Sequence, residues 1–383
     1  MALVRKRWRL LAAIACLGAA AAVPAAGEKP QIHPAHAGEQ LRAQAAHYRQ
    51  LAGHWEPIAP GGPLHPGDRG ARVAQLRRLL QLYGDYQGPP GPVRTASRDS
   101  ARFDSSLQRA LENYQRRHGL EASGVAGAET LAELAVPPGQ RARQLELNAE
   151  RGDQLRIPRK ERYVLINVPD YRLQLVQNGT VTLSMKTVVG KTSSRTPTLS
   201  SRITGIVFNP TWTVPRSILL TELLPKARNN PRAMHERGYR VVSYRDGDTS
   251  PISEDSLARA ASGNATLRQV SGAGNTLGRV KFILPNRKSI FLHDTQAHSL
   301  FDHRERAFSH GCIRLERPQE LAYALLDEQG WDRVRIAQAT SGDETVRVQV
   351  SQPPRLFITY MTAWVDPGGR PQFRRDIYRK DDG

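Results

Sequence analysis

Cys312 lies in the stretch FSHGCIRLE, residues 308–316, and His293 closes the apolar stretch SIFLH. Fifteen residues separate His293 from the run Ser309-His310-Gly311-Cys312. A thiol becomes a strong nucleophile only as the thiolate, so it needs a base or a cation beside it. His293 and His310 can serve as the base, and Arg314 as the cation. Gly311 lets the backbone turn closely, so that successive N–H groups near Cys312 can point at one oxygen, as an acyl-transfer oxyanion requires. Nucleophile, base and oxyanion donors together are what thioester chemistry needs. The bland alternative is a buried cysteine that acts as a small hydrophobe.

The chain has 383 residues, a formal net charge of +19 and two cysteines. The other cysteine, Cys16, sits in a segment patterned for export. Arg5, Lys6, Arg7 and Arg9 precede an apolar run from Leu10 to Val23, and the small residues Ala25 and Ala26 follow. That order reads as a signal peptide over residues 1–26. The apolar run is short for a membrane span, so membrane attachment would require an uncleaved signal. Cleavage removes four positive charges, leaves a net charge of about +15, and leaves one cysteine, so no intramolecular disulfide can form. A lone thiol in an oxidising compartment calls for a reason. The expected location is the periplasm or cell wall, where anionic wall polymers suit a basic protein better than nucleic acid, for which no module is present. His298, Asp302 and His303 lack the HExxH or cysteine-pair spacing of a zinc site, and neither a metal nor an organic cofactor is expected.

The elements that must position these residues fall into blocks. Residues 27–62 read as a linker with one helix over Gln40 to Leu51. Residues 63–135 read as three short helices: Val73, Leu76, Leu79 and Leu80 recur at helical spacing. Asp104 is an N-cap for the second helix, which carries Leu107, Ala110, Leu111 and Tyr114 on one face, and Gly119 is its C′ residue. Residues 136–161 read as a helical connector. From Arg162 the hydrophobic period becomes two. YVLINV is a strand, Asn178-Gly179 turns a hairpin, and strands follow over 202–209, 281–284 and 289–293. The insertion 216–278 carries helical patterns at 218–229 and 253–262, and reads either as a lid or as a stabilising subdomain. Pro318 opens a helix and Gly330 closes it. Residues 341–383 hold two further strand patterns and a charged tail. The fold class is therefore α+β: a small all-α domain, then a mostly β domain over 162–340 with a helical insertion.

His293, the fifteen-residue gap, and SHGC followed by Ile-Arg resemble the signature of the L,D-transpeptidase (YkuD-type) catalytic domain. FNPTWTVPRSI, residues 208–218, and LFITYMTAWVD resemble its larger, lid-bearing class. LHPGDRG, VAQLRRLL, LQRALENYQRRHGLEASG and TLAEL resemble the helical peptidoglycan-binding module of wall-acting enzymes. The resemblance implies that Cys312 is the nucleophile and His293 its proton acceptor and donor. It implies that the backbone carbonyl of Asp294 orients the imidazole. His310, Gly311 and Cys312 would supply backbone donors to an oxyanion hole. Arg314 would contact a substrate carboxylate, and Ser309 would be a structural part of the substrate site. Trp212 could line a sugar or peptide cleft or serve a core. The implied partners are peptidoglycan stem peptides and glycan, with carbapenem-type β-lactams as inhibitors. The implied reaction forms 3→3 (diaminopimelate–diaminopimelate) cross-links through a thioacyl-enzyme and so serves wall biosynthesis and cell shape. The alternatives are an L,D-carboxypeptidase or hydrolase, and a noncatalytic wall-binding protein.

Overall fold

The computed structural model describes residues 37–88, 101–157 and 160–382. The segment read as a signal peptide, and most of the Gly/Pro-rich loop after Gly88, lie outside the described residues. Five helices open the described chain: α1 (Ala37–Leu51), α2 (Ala71–Leu82), α3 (Ser105–Arg117), α4 (Ala128–Leu134) and α5 (Pro138–Gln154). Helices α2, α3 and α4 enclose one small core built on Val73, Leu76, Leu80, Leu107, Leu111 and Tyr114. Asp104 caps α3 by accepting the Leu107 N–H at 2.8 Å, which satisfies an otherwise orphaned donor of the first turn.

The β-rich block begins with β1 (Tyr163–Asn167), β2 (Arg172–Gln177), β3 (Thr180–Gly190), β4 (Leu199–Arg202) and β5 (Gly205–Phe208). The β2–β3 turn places Asn178 at φ 52° and Gly179 at φ 74°, both left-handed, as the Asn-Gly pair predicts. The insertion contributes β6 (Trp212–Thr213), β7 (Tyr239–Ser243), β8 (Thr249–Ser250) and β9 (Ala265–Gln269). Then come β10 (Val280–Ile283), β11 (Leu292–His293), β12 (Ala307–Ser309), β13 (Ile313–Leu315), β14 (Val346–Gln349), β15 (Arg355–Thr359), β16 (Ala363–Val365) and β17 (Pro371–Phe373). Eleven strands form one sheet in the order β14-β5-β10-β11-β13-β3-β2-β1-β15-β4, with β12 paired beside β3. One face packs on the helix Pro318–Leu326 through Leu321, Leu325 and Leu326.

Three block boundaries change. Every residue of β1 is buried, so this strand needs cover on both faces. Val164 and Ile166 enter the core shared with Leu321. Tyr163 and Leu165 instead meet Leu41 and Ala45 of α1 and Leu145 and Ala149 of α5. The segments read as linker and connector therefore supply α1 and α5, which are layers of the β-sheet unit. The C-terminal segment is likewise internal: β15 runs parallel to β1, with Val164 opposite Leu356. The insertion is built on a four-stranded sheet, β6-β9-β7-β8, beside its helices. It starts at β6, before residue 216, because Trp212 and Thr213 pair with Gln269 and Arg268 of β9, which pairs in turn with β7.

The helical module is joined to this unit by a buried charge cluster. Asp85, its side chain inaccessible, accepts from Arg117 Nη2 at 2.6 Å and from Arg370 Nη2 at 2.5 Å. Arg117 belongs to α3, and Arg370 to the turn between β16 and β17. Replacing Asp85 by Ala leaves the buried Arg117 guanidinium without its counter-ion. The expected outcome for Asp85→Ala is a stability loss of about 3–5 kcal/mol in guanidinium denaturation, with little change for a control at the exposed pair Arg232–Glu236.

Candidate active site

The site is assembled by register. In the antiparallel β10–β11 pair Lys281 stands opposite His293, and in the parallel β11–β13 pair His293 stands opposite Arg314. Opposite residues share a face of the sheet. Lys281, His293 and Arg314 thus form a row across three strands. Alternation sends Phe282, Leu292 and Ile313 to the other face, where all three are fully buried in the core. Cys312, one residue before β13, continues the Arg314 side by period two, and Phe291 matches it on the neighbouring strand through the Ile313 N–H bond to the Phe291 carbonyl at 3.2 Å.

His293 is buried, and its Nδ1 lies 2.5 Å from the backbone carbonyl of Asp294. A carbonyl only accepts, so Nδ1 carries the proton and Nε2 holds the lone pair in the neutral ring. Burial, reinforced by the Arg314 and Lys281 charges, pushes the imidazole down to about 3. The Asp294 carboxylate turns away and accepts the N–H groups of Arg279 and Thr295.

The Cys312 loop is fixed from within. Ser309 Oγ donates to the Cys312 carbonyl at 2.5 Å and accepts the Gly311 N–H at 3.0 Å. Gly311 adopts φ 113°, in the left-handed range that an L side chain resists. The Gly311 N–H is thereby committed, which corrects its expected place among the oxyanion donors. Ser309, almost fully buried, is a clamp on this loop and offers no open face to a substrate. Cys312 is half-buried and contacts the Ser289 carbonyl at 3.8 Å. Burial pushes its thiol up, while the Phe291 N–H and the charges of Lys281 and Arg314 pull it back down. Arg314 is an incompletely partnered cation: Nε is buried without a hydrogen bond, and Nη1 reaches Thr295 Oγ1 at 3.5 Å.

A second layer comes from residues that carry no motif. Thr196 Oγ1 donates to the Gly311 carbonyl at 2.8 Å and accepts the Gly190 N–H at 2.8 Å. Tyr378 Oη accepts the Thr196 N–H at 3.1 Å and donates to the Gly190 carbonyl at 2.5 Å. The charged tail is thus a buttress of the nucleophile loop. The insertion touches the site too. His310 Nε2 donates to Glu222 Oε1 at 2.5 Å, with Lys191 Nζ 3.4 Å from the same nitrogen. The His310 ring is occupied by this hydrogen bond and faces the insertion. Its hydrogen bond holds the Glu222 carboxyl below the usual range. Trp212 is placed differently from a cleft residue. It is 8% exposed in the insertion's own core, edge-on to Tyr239 at 6.4 Å, with no open face for a ligand.

Of the residues singled out by sequence, Cys312, His293 and Arg314 come together on one face, and Ser309, His310 and Gly311 build the loop beside them. Lys281, Glu222, Thr196 and Tyr378 were not anticipated. Only Lys281 left a signal, as the lone cation alternating with Val280 and Phe282 in VKFI.

Residues 161–341 match the family described as L,D-transpeptidase catalytic domain (YkuD), and residues 69–134 match one described provisionally as a peptidoglycan binding domain. A Haemophilus influenzae protein provisionally named an L,D-transpeptidase is 33% identical over 239 residues, which are 62% of this chain and 48% of that protein. The chain therefore spans about half the length of the curated relative it matches. Among solved structures, an L,D-transpeptidase from Stackebrandtia nassauensis is 14% identical, with 79% of this chain and 97% of that one covered and a TM-score of 0.28. The catalytic domain of an Enterococcus faecium L,D-transpeptidase acylated by ertapenem is 11% identical, with 52% and 97% covered and a TM-score of 0.24. Overlays at those scores carry no structural argument.

Two outcomes follow from the geometry. Ser309→Ala leaves the Cys312 carbonyl and the Gly311 N–H without their partner, so the denaturation midpoint should fall by the equivalent of about 1–3 kcal/mol. The second concerns acid. The unfolded chain binds a proton at His293 as pH falls through about 6.5, whereas the folded chain does so only near 3. Stability carried by the neutral ring is complete above that window and lost as pH falls through it. In guanidinium titrations between pH 6.5 and 4, His293→Gln should lose stability less steeply than wild type, by at most about 1.4 kcal/mol per pH unit.

Proposed function

We propose, because residues 161–341 match the L,D-transpeptidase catalytic-domain family and residues 69–134 match one described provisionally as a peptidoglycan binding domain, that the protein is an exported peptidoglycan L,D-transpeptidase working through a cysteine thioacyl-enzyme. The observation that carries this reading is the half-buried Cys312 sulfur on the face of the sheet that also presents His293 and Arg314. In the first step Cys312 Sγ attacks the carbonyl carbon of a diaminopimelate–D-alanine bond in a wall tetrapeptide. The C–N bond breaks, a thioester forms, and D-alanine leaves with a proton on its amine. His293 Nε2 is the atom through which the thiol proton departs and the leaving amine is protonated. In the second step the amine of another diaminopimelate attacks the thioester and loses a proton, giving a 3→3 cross-link and the free thiol.

With Gly311 committed to Ser309, the N–H groups of His310 and Cys312 are the donors for the oxyanion. Arg314, whose Nε lacks a partner, takes a substrate carboxylate in a charge-assisted hydrogen bond. The helical module holds the enzyme on the glycan, and the signal-like N-terminus places it in the periplasm or cell wall. No step calls for a metal or organic cofactor.

Purified tetrapeptide muropeptides, read by mass, test the assignment. Cross-linked dimers are the expected product, and Cys312→Ala should lower their formation by about 10³-fold or more. Tripeptides without dimers would make the enzyme an L,D-carboxypeptidase. Products undiminished in Cys312→Ala would overturn the cysteine mechanism altogether. A carbapenem should add its intact mass to wild type and not to Cys312→Ala.

A further inference from the structure

Lys281 is a cation on the Cys312 face of the sheet that no motif predicts. Its place opposite His293 sends its side chain to the face that carries Cys312 and Arg314. Its ammonium lies 4.1 Å from the centroid of the Phe291 ring, a cation–π contact that holds it above the strand bordering the sulfur. Phe291 is also the residue whose N–H points at Cys312 Sγ. Lys281 is half-buried, and no carboxylate pairs with it among the described residues. The charges acting on it are the Cys312 thiolate, which favours the ammonium, and Arg347, which opposes it. A half-buried ammonium without a counter-ion carries a desolvation cost that a nearby anion relieves.

The groups around the sulfur narrow what that anion can be. On β10 there is Lys281, on β11 His293, and on β13 Arg314. The Asp294 carboxylate is engaged by the Arg279 and Thr295 N–H groups. Beyond the loop, His310, Glu222 and Lys191 are tied to one another. His293 sits buried between two cations and is held neutral, so it is a poor counter-ion for a thiolate. Lys281 and Arg314 remain as the cations, and the sulfur as the anion.

We propose that Lys281 is a positioning residue for Cys312: with Arg314, its ammonium on the same face of the sheet favours the thiolate against the burial that opposes it, while His293 stays neutral and relays protons. In that ionisation the S–H bond breaks and its proton passes through His293 to solvent. The inference rests on Cys312 being the nucleophile, and it adds which group ionises it.

The test reads the thiol directly, without substrate. The full chain is alkylated with iodoacetamide across pH, and the Cys312 peptide is quantified by mass. Lys281→Met should move the midpoint of the alkylation profile up by about one pH unit, roughly tenfold slower on the rising limb, and Lys281→Arg should restore it. Lys281→Gln serves as a second neutral variant should Lys281→Met fail to fold. An unmoved midpoint in a folded neutral variant overturns the proposal. So does an equal shift in Lys281→Arg, which would assign the effect to packing. A raised KM for muropeptide with an unmoved profile would make Lys281 a substrate contact and also overturn it. The transpeptidase reading is tested separately by product formation in Cys312→Ala, so failure of one is distinguishable from failure of the other.

Discussion

Because β11 pairs with Lys281 on one side and Arg314 on the other, His293 is locked between two cations while Leu292 enters the core behind it. The strand is two residues long, and its own hydrogen bonds are few. Its register is held by what lies on the opposite face: Phe282, Leu292 and Ile313 are each completely buried, and burial of such side chains contributes about 1.5–3 kcal/mol apiece. A one-residue slip would turn Ile313 to the site and drive Cys312 into the core. The chemistry on one face is therefore positioned by the hydrophobic effect on the other.

The Cys312 loop inherits this precision through hydrogen bonds. Ser309 closes the loop on itself, Thr196 ties the Gly311 carbonyl to the end of β3, and Tyr378 ties Thr196 to the C-terminal tail. Tyr378 is held in turn by its own N–H bond to Tyr360 Oη at 2.7 Å, and Tyr360 is stacked on it. Side chains from four separated parts of the chain thus support one short turn. Each is buried, so its polar atoms have little alternative to the partner they hold.

The insertion is coupled to the same place by two different forces. Phe291, whose ring lies against the Lys281 ammonium, packs against the apolar core of the insertion, and Leu277 belongs to that core outright. On the far side the Glu222–His310 pair is a polar contact, about one-third exposed at both ends. The apolar contact fixes where the insertion sits. The exposed pair contributes little stability by itself but places a carboxylate against His310, two residues before Cys312.

Local patterning was enough for the helical module, because Asp104, Gly119 and the leucine spacing act within single helices, and for the hairpin, because Asn178-Gly179 accepts left-handed backbone. It was enough to single out Cys312 and His293, whose spacing carries a motif. It misjudged the layers around β1: an unbroken apolar strand announces two covered faces but not which segments cover them, so α1 and α5 read as linker and connector. It left Trp212 open between a cleft and a core, because exposure depends on β6 pairing with β9. Which cations flank His293 was also undetermined, since VKFI says that Lys281 alternates with core residues but not which strand will lie beside it. Side-chain types and local turns belong to contiguous residues, and the sequence alone determined these: a thiol, an imidazole and a tight glycine turn. The electrostatics that set their protonation depend on strands distant in sequence being hydrogen-bonded in one register, and only tertiary structure decided that.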